Sequence, residues 1–147
     1  VDAPVLTEAG ASGDENYIAV YGASLQRFSC PALITVNESI LAYNCPSLAQ
    51  VDLPFLEEVS ASILLQSNPS LVSFRMPKLR VCPVIQLFGG ALSQTSVNNI
   101  LADLVLNNWG GVGQAITLQG GTNAAPSGQG ILDKATLQGR GATVTTN

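Results

Sequence analysis

Apolar residues recur along the first two thirds of this chain in short alternating runs. Tyr17-Ile18-Ala19, Ile40-Leu41-Ala42, Ile63-Leu64-Leu65 and Ile85-Gln86-Leu87 carry the two-residue period of strands. Each is followed three residues on by a turn residue, Gly22, Cys45, Asn68 or Gly90. A second set, Phe28-Ser29-Cys30, Val51-Asp52-Leu53 and Phe74-Arg75-Met76, is apolar at its flanks and polar at its centre, which predicts another short strand with one buried and one wet face.

The two sets are locked in one repeat. Pro31, Pro54 and Pro77 stand 23 residues apart, each followed two residues later by Leu, and Pro46 and Pro69 repeat the same spacing in a second phase. The segments Ala23 to Val36, Pro46 to Val59 and Pro69 to Val81 share one consensus, the last one residue short. Predicted core rows are Tyr17/Ile40/Ile63/Ile85, Leu25/Leu48/Leu71, Phe28/Val51/Phe74 and Leu33/Leu56/Leu79. Val1 to Ala9 align without gaps on Val51 to Val59, with a four-residue insertion in Gly10 to Asn16. The chain therefore starts mid-repeat, and its amino end is expected to be an open edge covered by further chain or another subunit.

After residue 92 the pattern changes. Val97, Ile100, Leu101, Leu104 and Val105 follow a 3.6-residue period behind a Ser93 or Thr95 cap, predicting a helix from Gln94 to Asn107. Strands are expected at Ile116 to Leu118 and Ala142 to Val144, with a second helix at Ile131 to Gln138 between them. The expected fold is α/β: a right-handed solenoid with a six-strand parallel sheet and 23-residue repeats. Repeat coils occupy residues 1–92 and a helical carboxyl-terminal cap residues 93–147, in one continuous domain.

Composition narrows the chemistry. Of 147 residues, 46% are hydrophobic and 11% charged, the balance of a chain that folds. Six basic residues against ten acidic give a net charge of -4 with no basic cluster, which argues against nucleic acid as a partner. The absence of His removes the commonest general base and metal ligand. Cys30, Cys45 and Cys82 form no CxxC pair and read as buried small hydrophobes. Adjacent carboxylates such as Glu57-Glu58 diverge on an extended chain, and Asp14-Glu15 reads as a solvated loop. Asp52 with Arg75, and Glu57 with Arg80, are expected as ion pairs between neighbouring repeats. No enzymatic activity, metal or cofactor is expected, and no apolar run long enough to insert in a membrane occurs.

The alternation places Ile18, Leu41, Leu64, Gln86, Thr117 and Thr143 on the outer face of the sheet. Val20, Tyr43, Gln66 and Phe88 lie two residues further on. Ile18, Val20, Leu41, Tyr43, Leu64, Gln66, Gln86 and Phe88 are thus the candidate partner-binding residues, an apolar strip that turns polar towards the carboxyl end. The competing readings are that another segment of the same chain covers this face, or that a phase error of one residue buries these side chains.

The 23-residue period with its PxLxxV and L-x-L-x-x-N/C segments resembles the BspA-like leucine-rich repeats of bacterial surface proteins. The loop GGTNAAPSGQG and the final GRGATVTTN are similar to caps of such repeats in bacteriophage tail or fibre-associated proteins. This chain departs from the bacterial pattern in lacking the aromatic Phe before the Cys-type turn. The resemblance implies an extracellular, cell-surface or virion location and a non-enzymatic binding or adhesion module within a larger protein. Its partner is a protein, including itself, or a surface glycan. The alternative is a structural module that self-associates into a virion, fibre or surface filament.

Overall fold

The computed structural model describes residues 8–9, 17–20 and 24–147. Their strands form three all-parallel sheets that the chain visits in turn. The largest has six strands, in spatial order β12 (Thr143–Thr146), β11 (Ala115–Leu118), β10 (Val84–Gln86), β8 (Ser62–Gln66), β5 (Ser39–Tyr43) and β2 (Ile18–Val20). The second sheet holds β3 (Arg27–Ser29), β6 (Gln50–Asp52) and β9 (Ser73–Arg75). The third holds β1 (Glu8–Ala9), β4 (Thr35–Val36) and β7 (Glu58–Val59). The six parallel strands match the number and order expected from the sequence.

Register carries a 23-residue offset across the central strands of all three sheets: Ser39 pairs with Ser62, Gln50 with Ser73 and Thr35 with Glu58. β2 with β5 and β8 with β10 pair at 22. Core positions stack accordingly: Leu33, Leu56 and Leu79 are fully buried, as are Leu48, Leu71, Ile40, Ile63 and Ile85. Phe28, Val51 and Phe74 form another buried row. Leu25 is half-buried against this core. At the amino end, Glu8 pairs with Thr35 and Ala9 with Val36, which gives Glu8 and Ala9 the positions of Glu58 and Val59. Residues 1–7 of the Val1 to Ala9 alignment, the Gly10 to Asn16 insertion with Asp14-Glu15, the Gly22 turn and the expected open first edge lie outside the described residues.

Two alignments shift by one residue. Ile18, not Tyr17, pairs with Ile40, and Val20 pairs with Ala42. Tyr17, expected in the core, is 39% exposed. Val81, aligned by sequence with Val59, instead bridges Glu58 and is exposed, while Cys82 lies a full period from Val59 and is buried. A buried thiol fills the valine position, and the missing residue falls just after it, since Ser62 pairs with Val84, only 22 residues on.

Asparagine closes the turns. Asn68, fully buried, donates from Nδ2 to the Ala42 carbonyl at 2.9 Å and accepts from the Cys45 N–H at 2.9 Å, stitching its turn to the preceding one. Cys45 occupies the same position one repeat earlier, where its thiol lies 3.5 Å from the Val20 carbonyl, a weaker version of the same contact. In the later part Asn123 does this work: its Oδ1 accepts from Leu92 N–H at 2.8 Å, and its Nδ2 lies 2.8 Å from the Leu87 carbonyl and 3.1 Å from that of Leu118.

Helix α1 (Gln94–Leu106) begins at Ser93, whose hydroxyl accepts from Ser96 N–H at 3.1 Å. It takes the place of the next strand beside β9. Ser96 Oγ accepts from the Phe74 N–H, Asn107 Nδ2 donates to the Pro77 carbonyl, and the indole N–H of buried Trp109 donates to the Cys82 carbonyl. Backbone groups that a further strand would have paired are thereby satisfied by side chains. Helix α2 (Gln129–Gly139) packs on α1 and touches β12. The approach requires Gly130, where a Cβ would collide with Asn98 Oδ1. Arg140 donates to the Trp109 and Val105 carbonyls at 2.8 and 3.1 Å, closing the carboxyl end of α1.

Candidate binding face

Along β5 the burial pattern alternates strictly: Ile40 and Ala42 are buried, while Ser39, Leu41 and Tyr43 are half-exposed. β8 repeats it, with Leu64 and Gln66 outward, and β10 continues it with Gln86. Register then sets one outward row of Ala19, Leu41, Leu64, Gln86, Thr117 and Thr145 across all six strands. A second row begins with Tyr43 and Gln66 and continues with Phe88, which is 36% exposed.

Leu41, Tyr43, Leu64, Gln66, Gln86 and Phe88 therefore stand on the outer face as expected. Ile18 and Val20 do not. Both point inward, Val20 with 7% exposure and Ile18 packed against the core, so Ala19 is the outward residue of β2. The physical reason is the side-chain period of two: moving the pairing by one residue exchanges the faces of a whole strand. Thr143 is outward but pairs with Ala115; Thr145 fills the row of Thr117. The apolar part of the face thus centres on Leu41, Leu64, Tyr43 and Phe88 and does not extend to β2 with a large side chain.

Some polar members of the face on the central strands are bound to one another. Gln66 Nε2 donates to Gln86 Oε1 at 2.6 Å, and the Ser39 and Ser62 hydroxyls lie 3.0 Å apart. No Asp, Glu, Lys or Arg belongs to either row. Charges sit elsewhere. Arg80 pairs with Glu57 as expected, whereas Asp52 forms its ion pair with Arg27 at 3.8 Å, although Arg75 is its register partner. Arg75 is instead close enough to Asp103 on α1 to favour its charged form, against a larger effect of burial that raises the Asp103 pKa.

At the carboxyl end of β10 and β11 the face opens into a depression of about 400 Å³ lined by Phe88, Gly89, Thr117, Gln119, Gly120 and Gly121. Gln119 follows β11 as Phe88 follows β10, and the alignment of Ile116 to Gly121 on Ile63 to Asn68 is the sequence signal that places it in the outward row. Asn123 escapes the same alignment because its turn is two residues longer than that of Asn68.

All three thiols are buried, and burial pushes Cys30 up to about 11 and Cys82 to about 12, which keeps them neutral. Among the described residues no group of three or more Cys, Asp or Glu side chains is placed to hold a metal ion, and no helix is long and apolar enough to cross a membrane. No family model, curated protein or solved structure matches this chain.

Proposed function

We propose that the chain is a non-enzymatic recognition module, a right-handed leucine-rich-repeat solenoid of 23-residue coils that binds a protein or a glycan through the outer face of its six-strand sheet. The observation that carries this reading is the chemistry of that face: half-exposed Leu41, Leu64, Tyr43 and Phe88 in an uncharged array with Gln66 bonded to Gln86 and Ser39 to Ser62. An uncharged surface loses less on desolvation than a charged one, and this one is held by the register beneath it. The solenoid reading is supported by three parallel sheets sharing one period. On this reading the module works outside the cell, on a bacterial surface or a virion, within a larger protein.

Leu41→Asp combined with Leu64→Asp tests the proposal, since both side chains are outward and the fold should survive. Binding of the labelled domain to immobilised surface glycans and to surface proteins is measured beside light scattering. A monomer whose binding the double variant abolishes supports recognition. A trimer or polymer dispersed by the double variant replaces it with self-assembly into a fibre or virion, and unchanged binding moves the site off this face.

A further inference from the structure

The depression at the ends of β10 and β11 differs from the rest of the face in one respect. On the central strands Gln66 is committed to Gln86 and Ser39 to Ser62, which leaves the Tyr43 hydroxyl as the one outward polar side-chain group without a partner among the described residues. Neither the Thr117 hydroxyl nor the Gln119 amide hydrogen-bonds any described residue, and both line the depression beside the Phe88 ring. A donor-acceptor amide, a hydroxyl and an aromatic face converge there without a charged group.

The remaining wall is glycine. Gly89, Gly120 and Gly121 have φ of 74°, 87° and 60°, so the floor is bare backbone that no side chain fills. Gly121 cannot carry a Cβ, which would strike the Gly90 carbonyl, and the Gly120 N–H is held by Asn147 Oδ1 at 2.8 Å. The floor is thus fixed before any ligand arrives, which lowers the ordering cost of binding.

We propose that this depression is a subsite for one neutral pyranose residue of a glycan chain, its C–H face stacked on Phe88 and its hydroxyls hydrogen-bonded by Thr117 and Gln119. The inference rests on the reading of this face as a recognition surface and narrows it to a glycan at one end. The electron-rich face of an aromatic ring attracts the weakly positive C–H bonds of a sugar. Uncommitted amide and hydroxyl groups suit ligand hydroxyls, which both donate and accept. A volume of about 400 Å³ lies in the range of small-ligand sites. The lack of a cation in the lining disfavours phosphorylated and acidic sugars.

The test is a titration of isotopically labelled protein with cellotetraose, maltotetraose, mannotetraose and galactotetraose, with tetragalacturonate as the acidic control, followed by amide chemical shifts. Saturable shifts confined to Phe88, Gly89, Gln119 with its side-chain amide, Gly120 and Gly121 are expected for at least one neutral sugar. Phe88→Ala should weaken that binding about tenfold or more, and Gln119→Ala should weaken it measurably; if Phe88→Ala fails to fold, Gln119→Ala alone decides. Absence of saturable shifts with all four neutral sugars, or binding of the acidic one only, overturns the subsite. Shifts along Leu41 and Leu64 instead would overturn it while leaving the broader recognition reading intact, and that reading fails separately, when the Leu41→Asp, Leu64→Asp variant binds its partner unchanged.

Discussion

Removing the Asn68 amide isolates the hydrogen bonds that tie one turn to the next. In Asn68→Ala the Ala42 carbonyl and the Cys45 N–H are each deprived of a 2.9 Å partner at a site with no solvent exposure. Each orphaned buried group costs about 1 to 3 kcal/mol, so the substitution should destabilise the chain by about 2 to 6 kcal/mol. Cys45→Ala is the internal control. It removes a thiol from the equivalent turn, but that thiol is only a weak donor 3.5 Å from its acceptor, and about 1 to 2 kcal/mol is expected. Equilibrium urea unfolding followed by circular dichroism gives both values. Hydrogen exchange at the Cys45 amide shows whether the effect is local, which is needed because stacked repeats can unfold in parts. An Asn68→Ala cost below about 1 kcal/mol, or one equal to that of Cys45→Ala, would show that side-chain packing, not the amide, holds the turns.

Leu56→Ala, in the middle of the Leu33/Leu56/Leu79 row, should cost about 2 to 5 kcal/mol as a buried cavity, and urea unfolding checks it. Alkaline pH should weaken the fold: Cys30 and Cys82 titrate near 11 and 12 in the native chain against an ordinary value of 9.0, so their contribution is intact below pH 9 and is lost as pH rises towards 12, measured as falling urea midpoints. The same thiols should stay unreactive to a thiol reagent in native protein and react fully in urea. Burial raises the Asp103 pKa, so Asp103→Asn should be more stable than the parent near pH 7 and lose that advantage as acid protonates Asp103, a convergence visible in thermal melts at the two pH values.

How much of this architecture is legible without coordinates depends on how strongly each segment distinguishes its two faces. Where the repeat runs through Ile40, Ile63 and Ile85, bulky inward residues alternate with Leu41, Leu64 and Gln86, and the buried leucine of each Pro-x-Leu corner fixes the phase from the other side; only one register buries everything. At Tyr17 to Val20 no charged or strongly polar residue marks the outer face, so Tyr-Ile-Ala and Ile-Ala-Val both read as a strand. The stretch from Val20 to Arg27 is one residue shorter than its equivalent from Ala42 to Gln50, and counting back 23 residues from Ile40 therefore lands on the wrong face. The same limit applies to Val81 and Cys82, where a valine that fits the consensus hides a cysteine that fits the packing. Asn123 and Gln119 belong to a different class. Their roles depend on a turn whose length departs from the repeat and on a depression that exists only because neighbouring residues are glycine, and neither is a property of apolar periodicity. Local pattern specifies the stack wherever a misphased strand would bury a polar group, and it falls silent where both phases are apolar or where function resides in the space between repeats.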